Sequence, residues 1–154
     1  MISVYVAGSS RNTSRARAFI ERVNADPRMH LTHDWTAPAV SAAANGIRDC
    51  DLTDAQRTDF ALADLDAVLR ADVLVVLAEA EPTGRGMWVE LGFALGYNVL
   101  SVARIRTIVS GGARHSIFTA PPVLVDFEVP NVDGDDFEAF NILDELAEPE
   151  RHVV

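Results

Sequence analysis

Glu90 is the only charged residue between Arg85 and Arg104, and it sits inside the stretch "GRGMWVELGFALG" (84–96). On a helix its neighbours at three and four positions are Gly86, Met87, Phe93 and Ala94, none of which could neutralise it. A carboxylate in apolar, glycine-lined surroundings can act as a nucleophile or base. The plainer alternative is a first-turn acid placed for the helix dipole, which favours the ionised form by up to about 1 kcal/mol. A second acid has the same character. Within "DAQRTDFALADLDAVLRAD" (54–72), Asp66 has Arg70 one turn on and reads as a surface ion pair, whereas Asp64 has only Phe60, Ala61, Ala67 and Val68 around it. Asp64 therefore either meets something in a site or reaches solvent from the edge of an apolar face. Two carboxylates from separate helices at one crevice would suit glycosidic-bond chemistry: one attacks the anomeric carbon and the other assists the leaving group, at a spacing of about 5 Å if configuration is retained.

A third group lies in "GSSRN" (8–12). Gly8 permits a tight turn, Ser9 and Ser10 offer hydroxyls, Arg11 adds a positive charge, and Asn12 or Thr13 can cap a helix whose first free N–H groups attract anions. An ordinary capped helix after a glycine turn has the same composition. The spacing fits neither a dinucleotide fingerprint nor a phosphate loop, so neither NAD nor ATP is indicated, and no other cofactor is. The single cysteine, Cys50, rules out an internal disulfide and a cysteine metal cage, and no metal is expected.

The elements that must position these groups follow from patterning. Apolar segments at 2–8, 30–35, 72–78, 98–103 and 122–127 read as strands, several of them too continuous to have a solvated face. Helical patterns occupy about 13–25, 53–70, 86–97 and 135–147. This alternation predicts an α/β three-layer sandwich with a five-stranded parallel sheet, flavodoxin- or Rossmann-like, as one domain over 1–147 with a tail at 148–154. Ligands of such sheets bind beyond the carboxyl ends of the strands. The residues to inspect are therefore "AGSSRN", the long Ala-rich segment "TAPAVSAAANGIRDCD", read as a lid or a surface excursion, "EAEPTGRG" and "RIRTIVSGGARHS".

At 154 residues and a formal charge of −10, the chain has room for a core but no field that would hold a nucleic-acid duplex. Two arginine groups, Arg11, Arg15 and Arg17 and then Arg104, Arg106 and Arg114, read as solvated surface or as a place for a small anion. No apolar run reaches membrane-spanning length, and "MISVYVAG" reads as a strand rather than a leader. With one cysteine, the expected location is cytoplasmic.

Strand one with Tyr5 and "GSSRN", then "ALADLDAVLRADVLVVLAE", then "GRGMWVELGFALG", together resemble the nucleoside 2-deoxyribosyltransferase superfamily, which includes 2'-deoxynucleoside 5'-phosphate N-hydrolases and CMP hydrolases. The similarity spans about residues 2–103. It implies that Glu90 is the nucleophile toward C1', that Asp64 assists catalysis and contacts sugar or base, and that Tyr5 hydrogen-bonds the nucleophile. Asp66 and Asp72 match scaffold positions. Gly8, Ser9, Ser10, Arg11 and Asn12 would form the 5'-phosphate loop, with Gly84 and Gly86 in the turn beside the ligand. His33, Asp34 and Trp35 would follow strand two on the base side, where Trp35 can equally be read as a buried structural residue. The resemblance also implies a homodimer or larger assembly in which a neighbour completes the site, with Ser110 and Ser116 as candidates. The expected activity is cleavage of a nucleoside or nucleotide N-glycosidic bond without a cofactor. The competing reading is a non-catalytic nucleotide-binding module on the same fold.

Overall fold

The computed structural model describes residues 1–47, 51–79, 85–111 and 125–148. Five strands, β1 (Ile2–Ala7), β2 (Met29–Leu31), β3 (Val73–Leu77), β4 (Arg106–Ser110) and β5 (Phe127–Val129), form one sheet in the order β2-β1-β3-β4-β5. All four pairings are parallel. Around it lie α1 (Thr13–Ala25), α2 (Thr36–Ala44), α3 (Asp54–Leu69), α4 (Arg85–Leu100) and α5 (Phe137–Ala147). This is the expected five-stranded parallel α/β sandwich, in the flavodoxin-type strand order.

Side-chain alternation along the strands divides the core in two. On one face, Tyr5 and Ala7 of β1 and Leu74 and Val76 of β3 pack against Ala67 and Val68 of α3 and Met87, Leu91 and Ala94 of α4. On the other, Val4, Val6, Val73, Val75 and Leu77 pack against Phe19, Ile20 and Val23 of α1 and Leu143 of α5. Every residue of β3 is buried. The start of α3 is set locally by a capping box, in which Thr53 accepts from the Gln56 backbone N–H and the Gln56 side chain accepts from the Thr53 N–H.

Boundaries differ from the sequence reading in three places. The strand expected at 98–103 is not one: residues 98–100 are the last turn of α4, and β4 forms at 106–110, within a segment expected to be loop. Two apolar runs compete there for one place in the sheet. Asn98 settles the contest by clasping the returning chain, donating to the Ile105 carbonyl (2.7 Å) and accepting from the Ile105 N–H (2.8 Å). The second difference is that β2 covers only 29–31, while residues 36–44 form α2, whose first turn is closed by Asp34 accepting from the Thr36 N–H and hydroxyl. Third, β5 lies at 127–129, and residues 122–124 of the strand expected at 122–127 lie outside the described residues.

Gly111 follows β4 at φ +121°, and a Cβ built on it would lie 2.1 Å from the Ala78 carbonyl oxygen. Both the left-handed backbone and the contact exclude a side chain. Gly111→Ala is therefore expected to lower unfolding free energy by about 3 kcal/mol or more in urea melts. A loss below about 1 kcal/mol would show that the backbone relaxes there.

Candidate active site

The carboxyl ends of β1 and β3 bring the chemistry-bearing residues together. Tyr5 is in β1, beside the central strand β3, and its side chain lies on the face covered by α3 and α4. Both helices reach that end of the sheet, α3 because it runs back antiparallel to the strands and α4 because it starts there. The Tyr5 hydroxyl donates to Glu90 Oε1 at 2.7 Å. Asp64, one turn before the buried Ala67 and Val68 of α3, faces the same phenol and interacts with both Tyr5 and Glu90.

Burial dominates the electrostatics of this cluster. Glu90 loses its hydration, and its pKa rises to about 7, with the Asp64 charge adding and the Tyr5 hydrogen bond opposing. Glu90 is the sixth residue of α4, beyond the first turn where a helix dipole acts, so the ionisation expected from the dipole is overridden by desolvation. Burial likewise raises Asp64, against the hydrogen bond from Tyr5 and the charge of His33. The Tyr5 phenol is pushed far up by its own burial and by the two carboxylates, so it stays a donor.

Asp64 Oδ1 is buried without a hydrogen-bond partner among the described residues. His33 Nε2 lies 3.7 Å from it. His33 lies just past β2, in a segment the sequence reading placed in or after strand two, and its contact with Asp64 of α3 is one that local spacing does not signal. A buried, unsatisfied carboxylate oxygen is costly for folding and common where a ligand supplies the missing bond.

The "GSSRN" loop forms the end wall of β1. Ser9 is buried and accepts from the Arg11 N–H at 3.2 Å, capping a short 3-10 turn at 10–12. Ser10 and Arg11 are exposed at the rim, and Arg11 makes no ion pair among the described residues. Asn12 does not cap α1; its amide donates to Glu79 Oε1 at 3.1 Å. Trp35 closes the adjoining side. Its indole N–H donates to the Val6 carbonyl (2.7 Å), a β1 acceptor lying past the end of β2. The Trp35 ring stands 3.3 Å from where a Gly8 Cβ would be, so Gly8 makes room for it. Gly86 is the second residue of α4 with open space beside it, and Gly84 and Ser116 lie outside the described residues.

Arg15 is neither solvated nor free for an anion. Its guanidinium donates to the carbonyls of Ala78 (2.7 Å) and Ser110 (3.1 Å), at the carboxyl ends of β3 and β4. It is anchored bidentately on Asp136 at 2.9 and 2.6 Å. Ser110, expected as a site residue contributed by a neighbour, also spends its hydroxyl on Asp136 (2.6 Å) and is fully buried. Burial pushes the Asp136 carboxyl up, but donors from Arg15, Ser110 and Asn131 outweigh that and hold it below the usual carboxylate range. Arg104 is likewise occupied, by Asp126 at 2.6 Å. Asp66 and Asp72 are scaffold: Asp66 pairs with Arg70 (3.0 Å) and Asp72 accepts from the Ser3 N–H (2.7 Å).

Among the described residues no group of three or more His, Cys, Asp or Glu is arranged to hold a metal, and no helix is long and apolar enough to cross a membrane. No family model and no curated protein matches the chain. Among solved structures, the CMP N-glycosidase BcmB of Clostridium botulinum superposes with a TM-score of 0.56 at 12% identity, covering 92% of this chain and 98% of its own. The chain therefore has the fold of that N-glycosidase, in agreement with the fold that the sequence resemblance implies.

Proposed function

We propose that the chain cleaves the N-glycosidic bond of a (2'-deoxy)nucleoside or nucleoside 5'-monophosphate through a glycosyl ester on Glu90. The observation that carries this reading is the Tyr5 hydroxyl donating to Glu90 at 2.7 Å, with Asp64 from a different helix interacting electrostatically with both. A retaining pair of carboxyls stands about 5 Å apart, closer than an inverting pair, which must admit water between them.

The reaction needs one proton on this pair, held by Asp64, when the substrate binds. The phenol donates to Glu90 and favours it as the anion. In the first step the Glu90 carboxylate attacks C1', the C1'–N bond breaks, and the base leaves with the proton from Asp64. In the second step Asp64 takes a proton from water, which attacks C1' and displaces Glu90, restoring the pair. If another nucleobase takes the place of water, the same ester yields a new nucleoside. His33 partly offsets the rise that burial imposes on Asp64, and neither step needs a metal or an organic cofactor.

Arg11 and the amides of the 8–12 loop suit a 5'-phosphate at the rim, since this arginine has no competing ion pair among the described residues. The fold's likeness to a CMP N-glycosidase is consistent with such a substrate. The test is chromatographic detection of free base across a panel of nucleosides and their 5'-monophosphates. Wild type is expected to release base, and Arg11→Ala to raise KM for monophosphates about tenfold or more while leaving nucleosides within about twofold. Tight nucleotide binding with no base released from any panel member would instead identify a binding module.

A further inference from the structure

Glu79 lies two residues past the end of β3, with its side chain only 23% exposed, and the proposed chemistry does not use it. A carboxylate covered to this extent requires partners. It finds them at the start of α1: its Oε1 accepts from the Asn12 side-chain amide at 3.1 Å and lies 3.5 Å from Arg15 Nη1. Arg15 is itself fixed by Ala78, Ser110 and Asp136, so the cation beside Glu79 is held in place.

Asn12 is the residue through which Glu79 can act on the 8–12 loop. It ends the 3-10 turn that carries Arg11, with φ −129° and ψ 56°, and its side chain makes no cap bond to α1. The amide is engaged at both ends instead, Nδ2 donating to Glu79 and Oδ1 accepting from the Ser14 hydroxyl at 3.0 Å. Within the turn, the Arg11 N–H donates to Ser9 Oγ (3.2 Å) and the Asn12 N–H to the Ser9 carbonyl (2.9 Å). Those bonds are local and set the shape of the turn. The contact with Glu79, 67 positions along the chain, sets its place on the sheet.

We infer that Glu79 is a positioning residue: through Asn12 it holds the Arg11 turn against the end of β3, and thereby sets how well the rim receives a 5'-phosphate. The effect on substrate rests on the phosphate site proposed above; the hold on the loop does not. The test has two readouts on the full chain. In amide exchange followed by NMR, the Arg11 and Asn12 amides are expected to exchange about tenfold faster in Glu79→Ala, the order of magnitude that a hydrogen bond to a charged group contributes, with Val75 and Val76 of β3 unchanged. Glu79→Gln keeps an oxygen that can accept from Asn12 and is expected to restore slow exchange. In the base-release assay, Glu79→Ala is expected to raise KM for monophosphates about fivefold or more, with kcat and the nucleoside KM within about twofold, and Glu79→Gln to return KM to within about twofold of wild type. Losses in Asn12→Ala and Glu79→Ala should not add in the double variant, because one contact carries both. Unchanged exchange at Arg11 and Asn12 in Glu79→Ala, or a Glu79→Gln protein as impaired as Glu79→Ala, would overturn the inference. An Arg11→Ala protein with an unaltered monophosphate KM would count against the phosphate site alone, and the exchange rates would still decide the role of Glu79.

Discussion

Glu90→Gln is expected to abolish release of free base, by at least about a thousandfold, and at the same time to make the protein more stable at pH 8. The activity loss follows because an amide cannot form the glycosyl ester, although it keeps the shape of the side chain and can still accept from Tyr5. The gain in stability follows from linkage. Glu90 has a pKa of about 7 in the folded chain, above the ordinary 4.5, so the fold prefers its protonated form. Its favourable contribution is full below about pH 4.5 and is lost as the pH rises through about 7, a loss on the order of 3 kcal/mol above that range. Glutamine has no proton to lose. Thermal melts should therefore show the variant a few degrees above wild type at pH 8 and close to it near pH 4.5. Wild type incubated with substrate and quenched should show a sugar-sized mass increment that the variant lacks. A Glu90→Gln protein that keeps full activity would remove Glu90 from the chemistry, and one that melts lower at pH 8 would show that its carboxylate is not strained by burial.

Asp64→Asn is expected to slow base release by about a hundred- to ten-thousandfold, the usual contribution of a positioned general acid and base. The asparagine keeps the volume and the contact with Tyr5 but cannot hand a proton to the leaving base. The loss should shrink for a nucleoside whose leaving group departs without protonation, and the limb of the pH profile set by the acid should flatten. If every substrate slowed by the same factor and the profile kept its shape, Asp64 would be a binding residue only. The unsatisfied Oδ1 adds a structural readout. Replacing a half-buried carboxyl whose Oδ1 has no hydrogen bond with a neutral amide should not reduce stability, in contrast to truncating a paired acid such as Asp136, whose loss would strand Arg15.

The two acids were legible for the same reason: each lacked a helical partner. Glu90 has no cation within a turn, and Asp64 differs from Asp66 only in lacking what Arg70 provides. The sheet was legible where a strand is covered on both faces, as in β1 and β3, because burial on both sides enforces a continuous apolar run. It was not legible around residues 98–110. There the exposed Val99 and Leu100 of α4 resemble a buried strand in composition, and only the clasp of Asn98 on Ile105 shows that the strand begins later. Arg15 was misread because its partners, Ala78, Ser110 and Asp136, lie far along the chain.

The order of elements, the apolar faces and the placement of two unpaired acids near the carboxyl end of a parallel sheet were determined by residue type and spacing alone, since helix and strand periods are local properties. Tertiary structure decided what those acids are. The Tyr5–Glu90 hydrogen bond joins residues 85 positions apart, and the raised pKa of Glu90 comes from water excluded by α3, α4 and the sheet acting together. Desolvation and Coulomb interaction depend on distance in space, and only the folded chain sets that distance.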